Sequence, residues 1–269
     1  MILWKFSKAK RIILVNGFPE CYSVQMLPAS PIKRTLYRAS TSLLSTFSAI
    51  LLTIYQSTLV FIIEGEDHLR ILRTQKKNHI LAIWHTFVDA AVFCLHHRNL
   101  CIYSDHPRTK EYEESLTHFM REVGLKTLRA LGFDVLDASL GKQSAGIMNF
   151  IKKIQNGVPS LVAPDGPSGP IYEAKPGVIY MAAKANSYIV PVGVGFSRRI
   201  IGNNWDDLSF PLPFSRVALV IGEPILPSSD TSEESLAKQA LILEKKIDEL
   251  CFRANDILYG NLENGKNPS

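Results

Sequence analysis

The chain is short of the residues on which several common chemistries depend. It holds four cysteines in 269 residues, Cys21, Cys94, Cys101 and Cys251. None forms a C-x2-C pair. A disulfide scaffold and a metal site are therefore not expected, and a reducing compartment fits best. There is no G-x-S-x-G elbow to present a serine nucleophile, and no G-x4-G-K-[S/T] loop to cradle a nucleotide. Internal repeats and low-complexity linkers are absent. Arg11 to Phe18 makes a short apolar run with no small-residue cleavage site behind it, so no cleaved signal peptide is expected.

Acid is scarce too, but only locally. Residues 1–42 carry seven basic side chains against Glu20 alone, a net +6, while the whole chain nets +5. The basicity thus belongs to an N-terminal arm. That arm contains no nucleic-acid motif and runs straight into an apolar stretch. An anionic membrane surface is the expected partner, and nucleic acid is not.

The apolar stretch, Leu43 to Ile63, is free of formal charge and long enough to span a bilayer. Eight of its residues are Ser, Thr, Gln or Tyr, however, and its second part is rich in β-branched and aromatic residues. The pattern predicts a helix over 43–58 followed by a strand. Its basic flank favours a helix lying in or on the membrane over a span; a core helix is the alternative.

Beyond residue 64, short apolar runs near 79–84, 100–104, 133–137, 160–164, 189–194 and 216–221 read as strands. Helical patterns near 86–97, 107–130, 143–156 and 174–186 separate them. This alternation predicts an α/β domain over 59–259 with a mostly parallel central sheet flanked by helices. With 46% hydrophobic residues the chain has material for one large core. Pro191 is expected at a strand end or edge. A capping box of Thr231 and Glu234 opens a C-terminal helix whose stripe is Leu236, Ala240, Leu243, Ile247 and Leu250. Residues 260–269 read as a disordered tail.

Two stretches carry candidate chemistry. In HILAIWHTFVDA, residues 79–90, an apolar strand ends on His85. If a helix starts there, the i, i+4 spacing puts Asp89 within reach of the ring, fixing one nitrogen and leaving the other as a general base. In PDGPSGP, Pro164, Asp165, Gly166, Pro167 and Gly169 form a stiff loop. Its glycine amides suit a phosphate or an oxyanion, with Lys175 nearby to add positive charge; a rigid turn is the plainer reading. WDDLSFPLPFSR, residues 205–216, suits a site wall or a stiff surface loop.

Taken together and in order, IWHTFVDA, YSDHPRTKEY, LGFDVLDAS, PDGPSGP, KPGVIYMAAKANSYIVPVGV and WDDLSFPLPFSRVALVIGEPI resemble the DUF374 branch of the lysophospholipid acyltransferase superfamily. The likeness runs over about residues 60–226. It implies a glycerolipid acyltransferase-like fold with a membrane-associating helix, at the cytoplasmic face of the inner membrane. It also implies transfer of an acyl chain from an acyl-CoA or acyl-carrier-protein thioester to a hydroxyl of a lipid acceptor. The thioester is then a co-substrate and no cofactor is bound; an acyl carrier protein is a possible partner. The family's histidine base corresponds to His85 and its orienting carboxylate to Asp89. Three residues separate them here, where the family pattern has four. The usual phosphate-binding loop carries a Glu and an Arg; here Asp165 takes the first place and no Arg follows. The resemblance therefore leaves phosphate recognition to backbone amides, Lys175, or Arg108 and Lys110, and admits a saccharide-lipid acceptor such as a lipid A precursor as well as a lysophospholipid. The alternative is a protein that kept the fold to bind or carry lipid and lost the chemistry.

Overall fold

The computed structural model describes residues 31–95, 99–104, 116–137, 143–166, 169–203 and 206–263. In chain order these residues form α1 (Pro31–Gln56), β1 (Val60–Glu64), α2 (Glu66–Thr74), β2 (His79–Ala82), a 3-10 turn (His85–Phe87), α3 (Val88–Leu95) and β3 (Cys101–Ser104). There follow α4 (Leu116–Ala130), β4 (Asp134–Asp137), α5 (Gln143–Gln155), β5 (Ser160–Val162), α6 (Pro176–Ala185) and β6 (Tyr188–Phe196). A small pair, β7 (Arg199–Ile201) and β8 (Ser209–Pro211), precedes β9 (Arg216–Ile221) and α7 (Glu233–Glu263).

The main sheet has the order β1-β9-β6-β2-β5-β3-β4. Every neighbouring pair is parallel except β6 and β9. This is the expected α/β architecture, a mostly parallel sheet flanked by helices. The reason lies in strands such as β2, whose four residues are all buried, as a strand covered on both faces requires. Because β2 to β6 run the same way, their carboxyl ends share one edge of the sheet, where sites form in open α/β folds.

Several expectations need correction. The charge-free stretch does divide into helix and strand, but α1 begins at Pro31, inside the basic arm. No helix among the described residues is long and apolar enough to cross a membrane. Pro191 is not at a sheet edge: β6 is third from one side. It is tolerated because it stands where one ladder ends and another begins. β6 pairs with β2 through Pro191 and with β9 from Val192 onward. The cap of α7 is Ser232, one residue later than expected, its Oγ accepting the Ser235 N–H. The stripe of α7 is as expected, with Leu236, Ala240, Leu243 and Ile247 buried.

α7 lies across β6 and β9 at very short range. A Cβ built on Gly193 would sit 2.1 Å from the Leu250 carbonyl carbon, so only a glycine lets the helix backbone approach. Gly193→Ala should therefore cost about 3 kcal/mol by overpacking, read as a fall in the urea midpoint at constant slope. An unchanged midpoint would mean that α7 does not seat on β6.

Candidate active site

The end of β2 is held from several sides. Ile83 and Trp84 continue the buried run of the strand. The Trp84 indole N–H donates to Asp248 Oδ1 on α7 at 2.9 Å. The backbone N–H of His85 donates to the Asp165 carboxylate, with Oδ1 at 3.1 Å. What remains outside is the His85 ring, whose side chain is 35% exposed.

That ring is oriented by a residue absent from the sequence-based candidates. His85 Nδ1 lies 2.7 Å from Asp206 Oδ2. A carboxylate only accepts, so Nδ1 carries the proton and Nε2 presents its lone pair. Asp206 sits in the loop between β7 and β8, and its own backbone carbonyl accepts the Thr86 hydroxyl. Histidine and aspartate are thus fastened to each other twice, once by side chains and once through the neighbouring threonine. Asp206 is buried, and Oδ1, its second carboxylate oxygen, has no hydrogen-bond partner.

Asp89 makes no hydrogen bond to the His85 ring. The chain from His85 to Phe87 winds as a 3-10 turn before α3 starts at Val88. With three residues per turn rather than 3.6, the i, i+4 relation expected of a continuous helix is lost. Asp89 Oδ2 is buried without a hydrogen-bond partner. Burial pushes its carboxyl up to about 6; the nearby His85 opposes this and Asp206 adds to it. Asp89 thus belongs to the same cluster through its field rather than through a bond.

The PDGPSGP loop is also assigned differently. Asp165 is fully buried, and its carboxylate is spent on the His85 N–H. Burial raises its pKa, while N–H donors from His85, its own backbone and Tyr172 pull it down. The Asp165 carboxylate thus fixes the backbone at His85. The Gly166 N–H is occupied as well, donating to the Ala163 carbonyl at 3.1 Å in a tight turn. Gly166 and Gly169 both adopt positive φ, and Pro164 and Gly169 are buried. Lys175 lies against Gly166: its Nζ would be 3.6 Å from a Cβ placed there. Its backbone N–H closes the loop on the Pro164 carbonyl at 2.9 Å. Arg108, Lys110 and Pro167 lie outside the described residues.

The loop is pinned to the histidine segment by aromatic packing. Tyr172 meets the Trp84 ring edge-on at 5.9 Å and stacks on Phe87 at 6.4 Å. Phe87 in turn packs on Phe196 and lies under the Arg199 guanidinium. α7 adds a second acceptor, Glu244 Oε2, for the Ala174 N–H at 3.0 Å. One helix therefore holds both loops, through acids one turn apart. No group of acids, cysteines and histidines fit to hold a metal ion occurs among the described residues. The sequence does not single out Asp206, since the WDD stretch reads there as a site wall or a stiff surface loop. Its one available signal was a pair of acids embedded in an aromatic and proline-rich segment.

No family model matches the chain. Over 174 residues it is 28% identical to an uncharacterized protein of Rickettsia prowazekii (strain Madrid E), a match covering 64% of this chain and 72% of that one. Among solved structures it is similar to the 1-acyl-sn-glycerophosphate acyltransferase PlsC of Thermotoga maritima. That match has 17% identity and a TM-score of 0.48, and covers 82% of this chain and 84% of that one. Neither likeness assigns a reaction to this protein.

The Asp89 carboxyl supplies a pH test. Its folded value, about 6, lies above the ordinary 3.8. Between the two the folded state binds more proton than the unfolded state, so stability is full below about pH 4 and falls as pH rises towards 6. About two units correspond to roughly 3 kcal/mol. Asp89→Asn should flatten that limb of a plot of urea midpoint against pH. If the limb persists in the variant, its source is another group.

Proposed function

We propose that the protein is an acyltransferase of the lysophospholipid acyltransferase superfamily, in the DUF374 branch that its motifs resemble. It moves an acyl chain from a coenzyme A or acyl-carrier-protein thioester to a hydroxyl of a lysophospholipid or saccharide lipid. The observation that carries this reading is the His85–Asp206 pair at the carboxyl end of a buried parallel strand, with the ring partly open to solvent.

In this reading the acceptor hydroxyl gives its proton to His85 Nε2 as its oxygen attacks the thioester carbonyl carbon. The Asp206 carboxylate stabilises the imidazolium that forms and holds its tautomer. The tetrahedral intermediate then collapses, the C–S bond breaks, and the sulfur leaves with the proton returned by Nε2. An ester and a free thiol are the products, and no covalent enzyme intermediate is needed. Since the Gly166 amide is occupied, positive charge beside the loop comes from Lys175 and from the amino-terminal turn of α6. Arg108 and Lys110 are proposed as further anion contacts.

Membrane association is supported by α1. Its buried face holds Thr41, Ser45 and Ala49, while Leu43, Phe47, Ile50 and Ile54 are exposed, Phe47 at 57%. Such an outward apolar stripe fits a helix lying in the headgroup layer. The cytoplasmic face of the inner membrane is the proposed site of action, since anionic lipid there meets the basic arm. An intact histidine and carboxylate pair favours catalysis over the alternative of a lipid carrier without chemistry.

Purified protein in detergent, given a labelled acyl thioester and a panel of lyso- and saccharide lipids, tests the proposal. His85→Ala should abolish transfer. Asp206→Asn should lower kcat/KM by about 10²–10⁴-fold by destroying the tautomer preference, and Asp89→Asn by less than about tenfold. Undiminished transfer in His85→Ala would refute the mechanism, and a silent Asp206→Asn beside a dead Asp89→Asn would return the orienting role to Asp89.

A further inference from the structure

β7 and β8 pair with each other as a two-stranded ribbon separate from the main sheet. A two-stranded ribbon packed on a protein by one face ordinarily turns polar residues outward. This one does the reverse. One face holds the buried Ser209 and Pro211 of β8 opposite Ile201 and Arg199 of β7, which keep an exposed edge, Arg199 lying 6.0 Å over the Phe87 ring. Its outer face carries the cross-strand pair Ile200 and Phe210, with Ile200 59% exposed. Past the end of β8, Phe214 is 77% exposed. It sits at φ 61°, a left-handed conformation that a phenylalanine rarely adopts, beside a Pro213 carbonyl held by Arg198 at 3.2 Å.

Hydrogen bonds join the ribbon to the end of α1 and the start of β1. The Tyr55 hydroxyl, next to the exposed Ile54, donates to the Pro211 carbonyl. The N–H of Val60, also exposed, donates to the Ser215 carbonyl at 3.0 Å. Arg198 and Arg199 are exposed beside the patch. Their contacts are with carbonyls, a hydroxyl and a ring, and neither has a carboxylate partner among the described residues. Apolar side chains flanked by uncompensated guanidinium groups match a surface with an apolar interior and anionic headgroups.

We infer that the outer face of the hairpin is a second membrane-docking surface: Ile200, Phe210 and Phe214 enter the headgroup layer of an anionic bilayer, beside Arg198 and Arg199. The inference rests on the lipid-acceptor reading and extends it from α1 to the element that carries Asp206. The loop facing His85 and the face turned to the bilayer then belong to one ribbon. A lipid acceptor reaches the ring from the membrane side without leaving the headgroup layer.

Sedimentation of the full chain with phosphatidylglycerol-containing vesicles tests this, with pure phosphatidylcholine vesicles as the uncharged arm. Wild type should partition to the anionic vesicles. Ile200→Ser/Phe214→Ser should reduce that partition by about tenfold at an unchanged thermal midpoint. Phe47→Ser/Ile50→Ser on α1 should reduce it separately. The docking surface is refuted if wild type ignores anionic vesicles, or if the hairpin variant binds them as wild type does. It is equally refuted if the variant changes only the oligomeric state in sedimentation velocity, which would make the face a contact between copies. Vesicle binding by a wild type that transfers no acyl chain, lost in the hairpin variant, would keep the docking surface and remove the acyltransferase reading.

Discussion

A single hydrogen bond, His85 Nδ1 to Asp206 Oδ2, determines what the rest of the site can do. An imidazole at the end of a strand has two nitrogens and a freely turning ring. Without a partner it offers a mixture of tautomers and directions. With a buried carboxylate fixed on Nδ1, Nε2 becomes the basic atom and its direction is set. A charge-assisted bond of this kind contributes about 1.5–3 kcal/mol. That is enough to choose a tautomer but not to build the loop that carries Asp206. The loop is built elsewhere, by the Thr86 hydroxyl on its backbone and by Tyr55 and Phe87 against its strands.

The histidine segment is gripped by elements far apart in the chain. Asp165, from the turn after β5, takes the His85 amide; Asp248, from α7, takes the Trp84 indole; Asp206, from the hairpin, takes the ring. All three are carboxylates, and two of them, Asp165 and Asp206, are buried as whole residues. A buried carboxylate is costly unless its oxygens are bonded. Asp165 has its donors, whereas Asp206 and Asp89 each keep one oxygen without a bond. The cost is concentrated around the one ring that is open to solvent.

The sheet was legible in the sequence because its strands advertise themselves. HILA and the run from Ile189 to Val194 are apolar on both faces, a pattern that only a doubly covered strand satisfies. His85 was legible for the same reason, since the run stops on it. Its partner was not. Asp206 is 121 residues away, in a loop between two strands of three residues each, too short to show a period. Helical periodicity from His85 would place Asp89 beside the ring, whereas helix begins only at Val88. The PDGPSGP pattern suggests a ligand contact at Asp165 because glycine-rich loops usually expose their amides. Here the turn consumes the Gly166 amide itself, and the acid points inward.

The helix α1 illustrates a limit of pattern and the physics that replaces it. Its sequence announces an apolar element but not which side faces the protein. Small residues decide: Thr41, Ser45 and Ala49 let α4 approach, and the hydroxyls of Thr41 and Ser45 are satisfied by carbonyls of their own preceding turn. Lys126 on α4 adds a bond to Thr41 at 2.6 Å. The contact is therefore complete without the large side chains, which are left on the outside. Each would gain about 1.5–3 kcal/mol from full burial. The fold forgoes that gain at Leu43, Phe47, Ile50 and Ile54 on α1 and again at Ile200 and Phe214 on and beside the hairpin. The apolar side chains left outside thus lie on two joined elements, one of which holds the carboxylate that sets the histidine.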